Sequence, residues 1–588
     1  MAIFLMQNWR LFHHHRTETM KPTILGISCF FHDAAACLIK DGKIIAAVAE
    51  ERLNRLKHFS GFPELAIDYV LRAGRINPEA IEAVAFYDKP FIKFDRLLTS
   101  IIATWPRSRA LFTHAIPEWA AHKLRVEDKI ENMLGRLPPI YYLEHHLSHA
   151  ASAFYHSGFK EAAILTLDGV GEWTTGTLGY AKGRQITLPL EIRFPHSLGL
   201  LYSAITTYLG FAANDAEWKV MGLAPYGEPR LVNKFYKLID IYDDGSFRLD
   251  MDYFSYHFSR ETMFNERLVN LLGEPPRQPE SAITSFHQDV AASLQVIVQE
   301  IIKRLLKTVY NRFPSQNICL AGGIILNSLA NGRLLPRGPF KSWYIPSAPG
   351  DDGGAIGAAL ALYHEIYNQP RLPQLDASFF GPEFRLEAIR GYLKSRKLSF
   401  KELTDDKIIT YLAEALKRNK IVGLFRGQME FGPRALGNRS ILANPTSPKM
   451  KDYINQKIKY RESFRPLAPA VIAEAAPKYF ELGAPSPFMS SVFKVKKAYQ
   501  NKLPAITHVD GSARLQTVSV GQNKFLYQLL KKFGELSGYP VLVNTSFNRR
   551  GEPIVCTPHD AVECFLNTSL DILVLNSCLL IKDNVNHA

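Results

Sequence analysis

Two histidines and three aspartates lie in stretches whose residue types suit a divalent metal. His145 and His149 are four residues apart at the start of a helix-like run, so both rings can leave one helix face and share a cation. Asp168 ends an apolar strand-like run and is followed by glycine, while Asp351 and Asp352 precede the helix-like run AIGAALAL. Two imidazoles with two or more carboxylates favour Fe(II), Mn(II) or Zn(II) over Ca(II). The sequence therefore predicts a metal site assembled from distant parts of the chain.

Each of these patterns also has a purely structural interpretation. An HxxxH pair occurs on surfaces and in cores without a metal, an Asp-Gly pair makes an ordinary turn, and an aspartate before a helix caps it. Position 146 is a histidine where HExxH zinc proteases carry their glutamate, so protease chemistry is not supported. The occurrence of all three patterns together favours the metal site.

Two further sets of residues suit phosphate-bearing ligands. Gly322 and Gly323 close a strand-like run and are followed by Asn327, a turn that can pack against a base and ribose, although neither GxxxxGK[ST] nor GxGxxG is present. In the last third of the chain, arginines stand among glycine and proline in GQMEFGPRALGNRS and IKYRESFRPLAPAV. Such arginines favour a fixed pocket for a polyanion, with a solvated charged face as the alternative.

The composition excludes several classes of protein. The chain has 588 residues, of which 47% are hydrophobic and 21% charged, as in ordinary globular proteins with several domains. Its net charge of +14 comes from scattered basic residues rather than from a block, which favours small phosphate-bearing ligands over nucleic acid. No apolar run is long enough for a membrane helix, and the six cysteines form no CxxC pair, as expected of buried thiols in a cytoplasmic protein. The start of the chain lacks the features of a signal peptide, so residues 1–19 are expected to form an extension outside the fold.

The elements that must position these residues include a pattern that occurs twice. Residues 21–51 and 161–192 both predict a β-meander with a polar loop after its first strand. Two similar meanders suggest duplicated lobes that face a cleft, as in actin-like and sugar-kinase-like ATPases. Residues 288–310 predict an amphipathic helix, and the proline-containing stretch 368–383 predicts a linker. Beyond it, apolar runs predict the strands of a separate α/β unit.

The chain resembles the O-carbamoyltransferases that act on nodulation factors, cephems and tobramycin. The resemblance covers nearly the whole chain from Met20 and rests on the ordered motifs GISCFFHDAAACL, EERLNRLKH, HHLSHAASAF, LDGVGEWTT, EWKVMGLAPYG, AGGIILN, PGDDGGAIGAAL, GQMEFGPRALGNRSIL, IKYRESFRPLAPAV and VNTSFNRRGEPI. It implies an α/β fold in which residues 20–367 form a two-lobed actin-like ATPase domain of duplicated RNase H-like lobes, similar to the universal tRNA threonylcarbamoyl-adenosine synthase subunit. Residues 384–588 would form a smaller YrdC-like domain, similar to threonylcarbamoyl-AMP synthase.

The resemblance also implies a reaction in two steps. The small domain would form carbamoyl-adenylate from carbamoyl phosphate and ATP, with Mg accompanying the ATP, and would release phosphate and pyrophosphate. The large domain would then transfer the carbamoyl group to a hydroxyl of a small-molecule acceptor, such as a sugar or an antibiotic, at a divalent metal, iron in the best-known case. The labile anhydride would pass between the two sites inside the chain.

By motif, the resemblance assigns roles to individual residues. The four metal ligands would be His145, His149, Asp168 and Asp351, in agreement with the pattern above. His32 would accept the proton of the acceptor hydroxyl, a task that suits an imidazole, and Lys57 would lie near the carbamoyl-adenylate. The residues that would hold its nucleotide are Lys219, Gly322, Gly323 and Asn327. The residues that would bind carbamoyl phosphate and ATP in the small domain are Arg434, Lys459, Arg465, Arg514 and Ser546.

Several alternatives stay open. A sugar or metabolite kinase on the same scaffold would release ADP, and a tRNA-modification component would show salt-sensitive RNA affinity. No motif specifies the acceptor, although residues 89–134 and 231–281 are expected to shape its site. Trp218 replaces a tyrosine that is usual in the family, and the resemblance implies a homodimer.

Overall fold

Three β-sheets of five or more strands organise the fold. A computed structural model describes residues 21–371 and 377–584 of the chain. Two of the sheets lie before residue 345 and the third lies after residue 400. The predicted extension of residues 1–19 and the centre of the predicted linker, residues 372–376, lie outside the described residues. Within the described part of the chain, no helix is long and apolar enough to cross a membrane.

The first lobe is built around a sheet in the order β3-β2-β1-β4-β5. Its strands are β1 (Ile24–Ser28), β2 (Ala35–Lys40), β3 (Lys43–Ala49), β4 (Ala83–Phe86) and β5 (Ile140–Tyr142). Its helices are α1 (Glu50–Asn54), α2 (Glu64–Gly74), α3 (Pro90–Ala103), α4 (Arg109–Glu118), α5 (Val126–Leu134) and α6 (His145–Phe154). The first three strands form an antiparallel meander, and β4 and β5 run parallel to β1. The third strand was predicted to reach Glu51, but it ends at Ala49 because the two glutamates begin α1.

The second lobe repeats this topology in the order β8-β7-β6-β11-β12. Its strands are β6 (Glu161–Leu167), β7 (Thr174–Lys182), β8 (Gln185–Arg193), β9 (Ile239–Ile241), β10 (Phe247–Leu249), β11 (Asn317–Ala321) and β12 (Ser342–Tyr344), of which β9 and β10 form a separate hairpin. Its helices are α7 (Leu198–Tyr208), α8 (Glu217–Leu223), α9 (Val232–Phe235), α10 (Glu266–Leu272), α11 (Ser285–Arg312), α12 (Ser328–Leu334) and α13 (Asp352–Ala361). Again three strands form an antiparallel meander, and the last two run parallel to the first. The matching order and directions confirm the predicted duplicated, two-lobed fold.

The last helix of each lobe crosses to the other lobe. Helix α6 follows β5 of the first sheet but packs on β6 and β11, whereas α13 follows β12 of the second sheet but packs on β1 and β2. Their sequences, HHLSHAASAF and DGGAIGAALA, are rich in small residues, so the two helices approach each other closely. A Cβ on Gly357 would lie 1.8 Å from the carbonyl oxygen of Ser148. Small side chains at this crossing therefore bring the starts of both helices to one point.

The C-terminal unit is a mixed sheet in the order β13-β22-β21-β14-β15-β20-β16-β19. Its strands, with the hairpin β17–β18, are β13 (Lys401–Glu402), β14 (Val422–Phe425), β15 (Arg439–Ala443), β16 (Ala468–Ile472), β17 (Val492–Lys494), β18 (Ser512–Arg514), β19 (Gln516–Val518), β20 (Val541–Ser546), β21 (Ile572–Leu575) and β22 (Cys578–Ile581). Its helices are α14 (Leu386–Ser395), α15 (Asp405–Lys417), α16 (Met450–Tyr453), α17 (Ala476–Tyr479), α18 (Lys497–Gln500), α19 (Lys524–Ser537) and α20 (Pro558–Leu566). Helices α15 and α19 pack against each other over one apolar face of the sheet. This arrangement confirms a smaller α/β unit after the two lobes.

The C-terminal unit packs against both lobes. Arg52 of the first lobe donates to the carbonyl oxygen of Gly432 at 3.0 Å, and Arg55 donates to that of Ile554 at 2.7 Å. In the second lobe, the side-chain amide of Asn331 donates to the carbonyl oxygen of Ser490 at 2.9 Å. These contacts are buried or half-buried, so the C-terminal unit has a defined position beside the cleft.

Candidate metal centre and anion pocket

Four side chains converge where the two crossing helices begin. His145 and His149 lie in the first turns of α6, Asp168 follows β6, and Asp351 precedes α13. The Nε2 atoms of His145 and His149 are 3.0 Å apart, and Oδ2 of Asp168 is 3.1 Å from Nε2 of His145. Oδ1 of Asp351 is 3.4 Å from Nε2 of His149. Ligand atoms about 2.1 Å from one ion are separated by about 3.0–3.4 Å, so these distances match the predicted site.

Asp351 lacks the hydrogen-bond partners that a buried carboxylate requires. The four side chains are at most 4% exposed, and neither carboxylate oxygen of Asp351 has a hydrogen-bond partner among the described residues. Burial alone would lower the pKa of His149, but the two neighbouring carboxylates raise it to about 10. The cluster therefore attracts positive charge, and its nitrogen and oxygen atoms fit a divalent transition-metal ion.

The third histidine of the motif has a structural role. Nδ1 of His146 lies 2.6 Å from the hydroxyl of Thr166, and its Nε2 lies 3.0 Å from the carbonyl oxygen of Thr174. Burial, with the charges of the two other histidines, lowers its pKa to about 3. His146 is therefore neutral and attaches α6 to the second sheet.

His32 lies in the loop after β1, the equivalent in the first lobe of the loop that carries Asp168. Burial would lower its pKa, but a contact with Asp33 and the charges of Asp351 and Asp168 raise it to about 9. Nδ1 of His32 is 3.4 Å from Oδ2 of Asp33. The two duplicated loops thus lie close enough for the charges of Asp168 and Asp351 to act on His32.

A row of alternating charges continues from Asp33 to Lys57. Nδ1 of His58 is 2.8 Å from Oδ1 of Asp33, its Nε2 is 2.9 Å from Oδ1 of Asp215, and Asp215 forms an ion pair with Lys57. Asp33 and His58 have φ angles of 60° and 54°, a left-handed backbone that is uncommon for residues other than glycine. Burial would lower the pKa of His58, but the two carboxylates raise it to about 10, so that its ring carries a charge at neutral pH.

Sequence reasoning did not select Asp33, His58 or Asp215. The only sequence signal is that two of them are next to selected residues, His32 and Lys57. Asp215 comes from a distant segment, and no spacing relates it to the others.

The glycine pair after β11 lies at the metal cluster. Gly322 has a φ of 98°, and a Cβ there would lie 2.2 Å from the carbonyl oxygen of Leu167, so only glycine fits. The backbone N–H of Gly323 donates to Oδ1 of Asp168 at 2.7 Å. This hydrogen bond orients the carboxylate of Asp168, a role that the sequence did not predict for the glycine pair.

The other two residues predicted to hold the nucleotide have protein partners. The side chain of Asn327 exchanges two hydrogen bonds with that of Gln295, at 2.9 and 3.1 Å, and caps α12. Nζ of Lys219 lies 3.6 Å from Oε1 of Glu462 in the C-terminal unit. Asn327 is therefore held inside the second lobe, whereas Lys219 lies where that lobe meets the C-terminal unit.

Five cationic side chains gather in the C-terminal unit, and all are buried or half-buried: Arg434, Lys459, Arg461, Arg465 and Arg514. Burial, and then the charge of Arg514, lowers the pKa of Arg434, and burial followed by Arg465 and Arg514 lowers that of Arg461 to about 9. Among the described residues, only Arg465 of the five forms an ion pair. Such mutually repelling charges indicate a pocket for a polyanion.

Lys459 is the deepest of these cations. Burial, followed by the charge of Arg461, lowers its pKa well below the usual value. Its Nζ lies 3.2 Å from the hydroxyl of Ser546 and 2.7 Å from Oδ1 of Asn548. The strand predicted to end at residue 543 continues as β20 to Ser546, so this hydroxyl is placed by the sheet. The structure thus brings all five predicted residues of this pocket together and adds Arg461.

Arg465 connects the anion pocket to the second lobe. It pairs with Glu462 at 2.5 Å, and its guanidinium lies 4.4 Å from the centre of the Trp218 ring. The indole N–H of Trp218 donates to the carbonyl oxygen of Asp215 at 2.8 Å. Because Asp215 also binds Lys57, a continuous row of contacts runs from the anion pocket to the row of charges beside His32.

Two family models match most of the chain. The model described as "Carbamoyltransferase N-terminus" matches residues 23–360, and the one described as "Carbamoyltransferase C-terminus" matches residues 413–582. The chain is 46% identical to protein sll1178 of Synechocystis, over 95% of this chain and 96% of that protein. It is 38% identical to nodulation protein NolNO of Sinorhizobium fredii, over 94% of this chain and 79% of that protein.

A solved structure also matches part of the chain. HypF of T. kodakarensis matches with 14% identity and a TM-score of 0.31, over 59% of this chain and 49% of that chain. The two family models, by contrast, span the metal cluster and the anion pocket. The chain therefore belongs to the carbamoyltransferase family and is an enzyme of carbamoyl transfer.

Proposed function

We propose that this enzyme is an ATP-dependent O-carbamoyltransferase that works in two steps. In the first step, carbamoyl phosphate, ATP and water give carbamoyl-adenylate, pyrophosphate and phosphate. In the second step, the oxygen of an acceptor hydroxyl attacks the carbamoyl carbon. The bond to the adenylate phosphate breaks, and the products are the carbamate ester, AMP and one proton.

The anion pocket is the observation that carries this proposal. Arg434 and Arg514 have no carboxylate partner within the described part of the chain, so no protein charge neutralises them, and a bound phosphate group would also favour the charged form of Lys459. Fixed cationic donors stabilise the negative charge that builds up when water breaks the carbamoyl–phosphate bond and when the carbamate oxygen then displaces pyrophosphate from the α-phosphate of ATP. A kinase on the same two lobes would have no need for this pocket.

The metal cluster supports the second step. His145, His149, Asp168 and Asp351 would hold the divalent ion, which as a Lewis acid stabilises negative charge on an oxygen of the reacting carbonyl. His32 lies beside this cluster and takes the proton of the acceptor hydroxyl. Burial lowers the pKa of His32, whereas the contact with Asp33 and then the charges of Asp351 and Asp168 raise it. A cation that neutralises Asp351 and Asp168 would lower this pKa toward the range of a general base.

The contacts between the units support direct passage of carbamoyl-adenylate. A mixed anhydride hydrolyses in bulk water, so an internal route protects it. Arg465 of the anion pocket touches Trp218, and Trp218 bonds to Asp215 beside the cluster. Separated units, mixed at low concentration, should then carbamoylate far more slowly than the intact chain. Equal rates would refute internal passage.

The test supplies the full chain with Fe(II), ATP, carbamoyl phosphate and a cell extract rich in hydroxyl compounds. We expect release of pyrophosphate that depends on carbamoyl phosphate, and a product heavier by one carbamoyl group in the mass spectrum. Release of ADP with a phosphorylated product would favour the kinase alternative. Lys459→Gln is the informative variant, because it should abolish the release of pyrophosphate.

A further inference from the structure

A cavity of about 670 Å³ opens beside His32. Its wall includes His32, Lys57 and Asp215, and a small part comes from the C-terminal unit through Gly551. Other lining residues come from segments that were expected to shape the acceptor site: Glu118, Lys123 and Lys129 from residues 89–134, and Arg260 from residues 231–281. The volume is in the range of pockets that hold small organic ligands, about 300–1,000 Å³.

The wall of this cavity far from the anion pocket carries more positive than negative charge. Glu118 is shared by Arg260, at 2.5 Å, and Lys123, at 3.4 Å. Lys129 is half-buried and has no ion-pair or hydrogen-bond partner among the described residues. Lys57 already pairs with Asp215. Among the lining residues that come from residues 89–134 and 231–281, one carboxylate therefore accompanies three cations.

These charges define what the cavity can hold. Lys123 is half-buried and lines the cavity, and burial lowers its pKa. A cationic acceptor would be repelled here, and a neutral one would leave Lys129 without a partner. A phosphate or carboxylate group would bind all three cations through charge-assisted hydrogen bonds.

We propose that the acceptor is a hydroxyl compound that carries an anionic group, a phosphate or a carboxylate. The anionic group binds Lys123, Lys129 and Arg260, and the hydroxyl lies at His32. This inference rests on the proposed function, because it names the acceptor class for that reaction. The aromatic rings of Phe31 and Phe62 line the same cavity and offer an apolar face for the carbon skeleton of the acceptor.

The experiment uses the full chain with Fe(II), ATP and radiolabelled carbamoyl phosphate. A small-molecule extract of the source organism is divided on an anion-exchange resin into a bound and an unbound fraction. We expect label to pass only to compounds of the bound fraction. Label that passes only to the unbound, neutral or cationic compounds would overturn the proposal. Treatment of the bound fraction with alkaline phosphatase distinguishes the two kinds of anionic group. It abolishes the labelling of an acceptor that is a phosphate ester and leaves the labelling of a carboxylate acceptor unchanged.

Two substitutions test the cavity itself. Lys129→Gln and Arg260→Gln should each lower transfer to the bound fraction at limiting extract by about 10-fold or more, the size of one charge-assisted hydrogen bond, with the release of pyrophosphate unchanged. Lys407→Gln, at an exposed position of α15, is the matched control and should change neither rate. Unchanged transfer in both cavity variants would refute the inference.

The failures of the two proposals are distinguishable. If pyrophosphate is not released, adenylation fails and the proposed function is wrong. If pyrophosphate is released but no fraction is labelled, the transfer step fails, and the acceptor class fails with it. If the cavity variants lower the release of pyrophosphate as much as the transfer, the three cations serve the adenylate rather than the acceptor, which also overturns this inference.

Discussion

Replacement of Asp351 by asparagine distinguishes two interpretations of the four-residue cluster, a metal site and an internal network of ion pairs. Asparagine keeps the shape of the side chain and removes its charge. Asp351 is 1% exposed, and neither of its carboxylate oxygens has a hydrogen-bond partner among the described residues. In a metal site this carboxylate is a ligand, whereas in an ion-pair network it stabilises the folded chain directly.

The contacts of the Asp351 carboxylate determine how much Asp351→Asn should change the free energy of unfolding. Oδ1 of Asp351 is 3.4 Å from Nε2 of His149 and 3.7 Å from that of His145, beyond the range of about 2.7–3.2 Å for a good hydrogen bond. In chelator-treated protein, Asp351→Asn removes the attraction of this carboxylate for the two histidines, but it also removes the cost of burying its charge and its repulsion from Asp168. The free energy of unfolding should therefore change by less than about 1 kcal/mol. An ion present at 100 times its Kd stabilises the wild-type protein by about 2.7 kcal/mol, and the variant should lose nearly all of this.

The assay is thermal unfolding with Fe(II), Mn(II) or chelator, combined with metal analysis of the dialysed protein. The matched control is Asp352→Asn. Asp352 is the neighbouring aspartate, Oδ1 of which accepts a hydrogen bond from the N–H of Gly353 at 2.9 Å, and it is outside the four-ligand cluster. We expect wild type and this control to lose stability with chelator, and Asp351→Asn to be insensitive. A loss of about 3–5 kcal/mol in the chelator-treated Asp351→Asn variant, the cost of breaking a buried ion pair, would refute the metal interpretation.

Three further predictions follow from other contacts. His58 has a pKa raised above its usual value, to about 10. Its stabilising charge is therefore fully present below about pH 6.5 and is lost as the pH rises through 10. The difference in stability between wild type and His58→Gln, measured by urea unfolding, should shrink between pH 8 and pH 10.5, and a constant difference would contradict a charged His58 between Asp33 and Asp215. Lys459→Gln should lower the rate of pyrophosphate release by at least about 100-fold. The same variant should still transfer the carbamoyl group from supplied carbamoyl-adenylate, which is followed by the formation of AMP. Equal loss of both activities would argue against separate sites. Gly322→Ala should destabilise the protein by about 2 kcal/mol or more. The added Cβ would lie 2.2 Å from the carbonyl oxygen of Leu167, on a residue with a φ of 98°. A midpoint of thermal unfolding within a degree of the wild-type value, measured by calorimetry, would refute the close approach.

The convergence of His145, His149, Asp168 and Asp351 could be predicted from the sequence, because these residue types are rare in combination and the spacing of the two histidines places both on one helix face. The duplicated lobes could be predicted because each meander has a turn and alternation of its own. Asp33, His58 and Asp215 could not be predicted, because the left-handed backbone at Asp33 and His58 and the packing of α8 bring them together.

The arginine-rich run shows the limit of composition as a guide. Arg439 and Arg434 lie five residues apart in GPRALGNRS, yet only Arg434 belongs to the anion pocket. Arg439 is fully buried, donates to the carbonyl oxygens of Arg426 and Pro382, and stacks on the ring of Phe425 at 3.7 Å. Whether an arginine faces a ligand or supports a loop depends on which carbonyl groups the fold leaves unpaired, and the sequence does not contain that information.

The crossing of α6 and α13 has a consequence for how this enzyme moves. His145 and His149 begin the helix that ends the first lobe and packs on the second sheet, whereas Asp351 precedes the helix that ends the second lobe and packs on the first sheet. An ion held by these residues would join the starts of both crossing helices, and it would oppose any hinge movement that separates α13 from α6. Small molecules would then enter and leave the site without a separation of these two helices.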